Sequence, residues 1–152
     1  MAIKKYYVTV DELGITGWFK DAKCKVLHRE DGPAIEYANG SKCWYKNGQR
    51  HRTDGPAVER ADGTKHWYQN NYLHRTDGPA IERADGTTGW YQNGRLHRTD
   101  GPAIERADGT KEWYINGMAM TEAEFLDATQ PLVEMTVADI EKLVGKRVKI
   151  IK

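Results

Sequence analysis

Between Gly14 and Gly117 the chain is written in short runs of alternating apolar and polar residues, each closed by Gly, Asn, Asp or Pro. Alternation of period two places successive side chains on opposite faces of a strand, so this stretch predicts β-structure throughout. The runs are copies of one another. The segment from His28 to Glu36, His-Arg-Glu-Asp-Gly-Pro-Ala-Ile-Glu, returns nearly letter for letter at His51, His74 and His97, each time 23 residues further on. Every copy continues through a turn pair (Asn39-Gly40, Asp62-Gly63, Asp85-Gly86, Asp108-Gly109) to Trp-Tyr (Trp44-Tyr45, Trp67-Tyr68, Trp90-Tyr91, Trp113-Tyr114). A second turn pair then follows (Asn47-Gly48, Asn70-Asn71, Asn93-Gly94, Asn116-Gly117). The predicted unit is a strand Ala-Ile-Glu-x-Ala, a strand Thr-Lys-x-Trp-Tyr and a short strand through Leu-His-Arg, with Asp-Gly-Pro separating one copy from the next.

Asn-Gly and Asp-Gly favour two-residue hairpins, because both central positions of a type I′ turn need positive φ. Two such turns per copy set a register. In the second copy Val58 is expected to face Trp67, and Trp67 to face His74. The opposite face is expected to carry Ala57, Tyr68 and Leu73, together with a rung of Glu59, His66 and Arg75. Its counterparts are Glu36, Cys43, Arg52 and Glu82, Gly89, Arg98. One copy cannot bury its own apolar face, and stacking supplies the missing partner.

Both ends depart from the repeat. Gly14 to Asp21 aligns with Gly86 to Asn93, which makes the N-terminus a degenerate half-copy, with Cys24-Lys25-Val26 inserted before Leu27-His28 rejoins the pattern. The tail changes character. Thr121 and Glu124 form a capping box for a short helix through Phe125 and Leu126, which Pro131 ends. Thr136 caps a second helix over Val137 to Val144, Gly145 stops it, and Arg147 to Ile151 reads as a strand. The fold class is therefore mainly β, an antiparallel repeat sheet of stacked β-hairpins with a small α/β C-terminal cap. Three segments follow: 1–27 as N-terminal cap and half-repeat, 28–120 as four repeats, and 121–152 as a helix-helix-strand cap.

Composition narrows the function classes. The 152 residues carry 23 basic and 22 acidic side chains, a net charge of +1, so no global field draws in nucleic acid or an acidic membrane. No apolar run approaches a membrane span, and the start around Lys4 and Lys5 lacks the apolar stretch of a signal peptide, which makes a cytoplasmic location the expectation. Cys24 and Cys43 match no zinc or redox spacing and are expected to be free thiols.

The candidate chemistry is sparse. His28, His51, His74 and His97 recur in step, but with two or three strands between them they lie roughly 10 to 14 Å apart, too far to share a metal ion. They are expected to pack against tryptophan, and no metal or cofactor is expected. His66 between Glu59 and Arg75 has the outline of an acid-base group, yet Cys43, Gly89 and Glu112 stand there in the other copies, so no catalytic residue is assigned and the chain is not expected to be an enzyme. Asp31, Asp54, Asp77 and Asp100 read as turn formers. The candidate binding residues are Arg29, Arg52, Arg75 and Arg98 on one face, with His66 beside Arg75, and Arg60, Arg83 and Arg106 on the other, near Lys65 and Lys111. They would hold phosphates or acidic groups, or else pair with Glu36, Glu59, Glu82 and Glu105.

The 23-residue period, the paired glycine turns and the Trp-Tyr strands resemble MORN-type repeats, single twisted sheets of stacked hairpins, over about Gly14 to Gly117. The paired glycines of that family give way here to His-Arg-Thr-Asp-Gly-Pro-Ala. The sequence is more similar to tailed-bacteriophage proteins built from His-Arg-x-Asp-Gly-Pro-Ala repeats, which end in a segment like Leu132 to Lys152. That resemblance implies a phage-encoded protein; together with the repeat array and the absence of catalytic motifs, it makes a non-enzymatic binding protein in the host cytoplasm, acting on a host or defence protein, the expectation. The alternative, resting on the arginines and aromatic rings, is a sponge for a small anionic nucleotide. A homodimer would cover a bare sheet face.

Overall fold

The computed structural model describes residues 5–130 and 136–144. An antiparallel sheet of 11 strands runs along the whole repeat region, and neighbouring strands in the sheet follow chain order. Each repeat contributes two short strands, such as Val58–Glu59 and Lys65–His66 in the second copy, to which the third adds Ile81–Glu82 and Thr88–Gly89. After the second strand the chain leaves the sheet, forms a side hairpin (Tyr68–Gln69 with Tyr72–Leu73), and returns through His-Arg-Thr-Asp-Gly-Pro-Ala to start the next copy.

Small residues make the centre. Ala34, Ala57, Ala80 and Ala103, the alanines of the four Gly-Pro-Ala motifs, are fully buried, and each carbonyl accepts the backbone N–H of a tryptophan: Trp18, Trp44, Trp67 and Trp90. Trp18 thus behaves as the tryptophan of a repeat, and the N-terminal segment is the expected half-copy, closed on its outer side by Tyr7–Val10.

The two turns of each copy differ, and this changes the register. At the second turn both residues have positive φ, as at Asn70 (50°) and Asn71 (69°), so a type I′ hairpin pairs Tyr68 with Leu73 and bonds His74 N–H to the Trp67 carbonyl, as expected. At the first turn only the glycine has positive φ (Gly63, 91°), and Arg60 and Thr64 close the loop around three residues. This is a type I turn ending in a glycine bulge. Asp62 is selected there for its side chain: Oδ1 accepts the Thr64 N–H at 2.8 Å, and Asp85 and Asp108 do the same for Thr87 and Thr110.

The extra loop residue shifts pairing by one, and a one-residue shift moves every side chain to the other face. Val58 faces His66, not Trp67, and Glu59 faces Lys65, not His66. The expected rungs Glu59-His66-Arg75, Glu36-Cys43-Arg52 and Glu82-Gly89-Arg98 are not formed; the cross-strand partners are Glu36–Lys42, Glu59–Lys65 and Glu82–Thr88.

Neighbouring copies are stitched at both ends of the unit. At the first turn the hydroxyls of Ser41, Thr64 and Thr87 accept the N–H of Ala61, Ala84 and Ala107. At the side hairpin the Nδ1 atoms of His28, His51, His74 and His97 accept the N–H of Asn47, Asn70, Asn93 and Asn116 in the following turn, at 3.0 to 3.3 Å. The repeated histidine thus ties down the next hairpin through Nδ1, which in His51 and His74 also lies 3.0 and 3.1 Å from the Oδ1 of Asn70 and Asn93.

The expected capping box is present at the C-terminal end of the array. Thr121 and Glu124 open helix α1 (Glu122–Thr129), which packs on the last two strands and buries Phe125. Thr136 exchanges hydrogen bonds with Asp139 at the start of helix α2 (Val137–Val144). The predicted stop at Gly145 and strand at Arg147 to Ile151, like Pro131, fall outside the described residues. None of the described helices is long and apolar enough to cross a membrane.

Candidate functional site

Alternation along the strands sorts the candidate residues onto two faces. One face carries Trp, Glu and Lys; the other carries Tyr, the Val/Ile row and the variable position Cys43, His66, Gly89, Glu112.

On the tryptophan face the arginines are fully engaged within the fold. Arg52, Arg75 and Arg98 stack over Trp44, Trp67 and Trp90 at 3.9 to 4.1 Å from the ring centroid, and Arg29 lies over Trp18 at 4.2 Å. The guanidiniums of Arg52, Arg75 and Arg98 each bond three acceptors further along their own copy, and that of Arg29 bonds two. For Arg75 these are Asp77 (3.0 Å), the Pro79 carbonyl (3.2 Å) and Glu82 (2.9 Å). The glutamate partner is therefore the one seven residues on: Arg52 pairs with Glu59 and Arg98 with Glu105, while Arg29 reaches Glu36 at 3.5 Å. The arginine holds the carboxyls of Asp54, Asp77 and Asp100 below the ordinary aspartate range, chiefly through its hydrogen bond. Lys65 belongs to this face, between Glu59 and Glu82 on its neighbouring strands, and not beside Arg60.

The Asp-Gly-Pro glycine also acquires its reason here. At Gly32, Gly55, Gly78 and Gly101 an added Cβ would come within 2.8 to 3.0 Å of the arginine Cζ, so a side chain there would push the guanidinium from its place across the loop.

The tyrosine face is different. Arg60, Arg83 and Arg106 leave the Val/Ile strands at matched positions, and only Arg106 has an acidic partner there. Its guanidinium grips the Glu112 carboxylate, with Nε at 3.1 Å and Nη2 closer, while the Tyr114 hydroxyl donates to the other oxygen at 3.1 Å. Arg106 depresses the Glu112 carboxyl, and the hydrogen bond to Glu112 raises the Tyr114 hydroxyl. Among the described residues Arg60 and Arg83 make no ion pair, since the positions equivalent to Glu112 hold His66 and Gly89.

His66 is half-buried and flanked by Tyr68, with ring centroids 6.3 Å apart. Burial, and then the nearby charges of Arg60, Arg83 and Arg50, push its imidazole below the usual histidine value, with Asp62 opposing them. Around it opens a groove of about 590 Å³ lined by Tyr37, Cys43, Arg50, Val58, Arg60 and Tyr68 among others. A second hollow of about 400 Å³ continues past His66 to Arg83, with Asp62, Thr64 and Asp85 on its rim. Burial raises the Tyr37 hydroxyl and the Cys43 thiol.

Arg50 and Tyr37 were not among the sequence candidates. Arg50 stands where the next copies have Leu73 and Leu96, and lies 5.7 and 5.6 Å from the rings of Tyr45 and Tyr68. Tyr37 stands where they have Arg60 and Arg83. Each breaks the repeat consensus, and that break was the available signal. Among the described residues no group of three or more His, Cys, Asp or Glu could hold a metal ion, and both cysteines are free. No protein-family model matches the chain, and no curated protein is significantly similar to it.

Proposed function

We propose that the chain is a non-enzymatic binding protein that engages a partner protein through the tyrosine face of its repeat sheet. One observation carries the reading. The arginines of the tryptophan face are held by bonds within the fold, whereas among the described residues Arg60 and Arg83 make no ion pair and stand beside the aromatic groove at His66. Aromatic rings and arginines set in a rigid scaffold are the side chains that anchor protein interfaces. The resemblance to tailed-phage repeat proteins directs the search for the partner to the proteins of a bacterial host, its defence components included.

The test is affinity capture from bacterial lysate with wild-type protein and with Tyr68→Ser/Arg60→Ser. A stoichiometric partner held by the wild type and lost by the variant supports the reading. Capture that is indifferent to the two substitutions, or absent from the wild type, removes it. A second reading, a binder of a small anionic nucleotide, rests on the groove near 590 Å³ in which Arg50 and Arg60 meet Tyr37 and Tyr68. Calorimetry against cyclic and linear nucleotides decides it, and absence of heat eliminates it.

A further inference from the structure

The fourth repeat contains its own answer to what the tyrosine face binds. There the fold itself supplies a carboxylate, and Arg106 and the Tyr114 hydroxyl close on it. The second and third repeats present the same arginine and tyrosine, Arg60 with Tyr68 and Arg83 with Tyr91, without the acid. We propose, building on the reading above, that the partner presents an acidic segment whose carboxylates occupy the Arg60 and Arg83 positions as Glu112 occupies that of Arg106.

Charge and spacing support this occupant. Arg60 and Arg83 line one continuous hollow with His66 between them. Asp62 and Asp85 lie on the same rim, but each has an oxygen committed to a turn N–H; Arg60 and Arg83 share the hollow with them, and Arg50 lines the adjoining groove. Equivalent residues of adjacent copies are two strands apart, roughly 10 Å, which a peptide in the polyproline II conformation, rising about 3.1 Å per residue with three residues per turn, covers in about three residues with both side chains on the same side. The segment recognised is therefore of the form Glu-x-x-Glu. Guanidinium favours carboxylate through paired N–H donors, and the tyrosine hydroxyl adds a donor to the second oxygen.

The experiment is fluorescence anisotropy at low ionic strength with a labelled peptide Gly-Ser-Glu-Gly-Ser-Glu-Gly-Ser, and with a peptide of the same composition whose glutamates are adjacent. The spaced peptide is expected to bind at least about threefold more tightly than the adjacent one. Arg60→Gln/Arg83→Gln should weaken it about tenfold, the scale of two partly exposed ion pairs. His66→Glu places a carboxylate at the position of Glu112 and should likewise weaken the peptide by filling the Arg60 slot from within. Arg106→Gln, whose guanidinium is already occupied, should leave affinity unchanged. Thermal unfolding of each variant confirms that it is folded. No peptide binding, no spacing preference, or binding indifferent to Arg60→Gln/Arg83→Gln overturns the proposal, as does binding of inorganic pyrophosphate without the peptide. A lysate partner that needs Tyr68 and Arg60 yet is not displaced by the spaced peptide overturns the acidic-segment proposal alone and leaves the protein-binding reading standing.

Discussion

Gly78 provides a quantitative test of the arginine-tryptophan ladder. Its φ lies outside the left-handed region, so backbone strain gives no reason for glycine. An alanine Cβ would sit 2.8 Å from Arg75 Cζ and 3.0 Å from Nε, and the guanidinium must move away. Moving it loses the stacking on Trp67, worth about 0.5–1 kcal/mol, and weakens the bonds to the Pro79 carbonyl and Glu82, for a total of about 1–2 kcal/mol. For a chain of this size that corresponds to a fall in Tm of about 2–8 °C.

The decisive assay is a double-mutant cycle of Gly78→Ala with Arg75→Ala, followed by urea unfolding and tryptophan fluorescence. With the guanidinium gone, Gly78→Ala should cost less than about 0.5 kcal/mol, leaving a coupling of about 0.5–2 kcal/mol. Gly63→Ala is the control. It has no atom within 4 Å of its Cβ but a φ of 91°, so its cost of about 1–2 kcal/mol comes from backbone strain and should be the same with or without Arg75. Equal costs for Gly78→Ala in both backgrounds, or none in the wild type, would refute the steric argument.

Thr64 and Thr88 should respond oppositely to the same isosteric change. Thr64→Val removes the acceptor of the Ala84 N–H and should cost about 1–2 kcal/mol, with faster hydrogen exchange at Ala84, whereas Thr64→Ser, the residue found at Ser41, should restore the bond. Thr88→Val replaces a buried hydroxyl that has no hydrogen-bond partner among the described residues and should leave stability unchanged or raise it by up to about 1 kcal/mol, measured by the same melts. The acid limb of stability should follow the aspartates of the ladder. Since Asp54, Asp77 and Asp100 are held below their ordinary value of 3.8, their contribution is complete above that value and is lost as pH falls below it through the lower folded value; Asp77→Asn should flatten this limb in a pH series of urea midpoints.

The sequence by itself determined the period, the number of copies, the β class, the side-hairpin register and the caps of both helices. These follow from local chemistry: Asn-Asn and Asn-Gly admit type I′ turns, and Thr with Glu or Asp three residues on satisfies the free N–H groups of a helix start. Which face each strand shows was decided only in the tertiary structure. Asp-Gly serves a two-residue turn or a three-residue bulged one equally well, and the choice moves the pairing by one residue. The bulged form is the one in which Val58 and Ile81 both face His66 and the Thr64 hydroxyl reaches the next copy, contacts that lie in other strands and other repeats. The separation of two arginine ladders, one spent on tryptophan and glutamate and one facing an open groove, follows from that single residue of register, and no window of local sequence contains it.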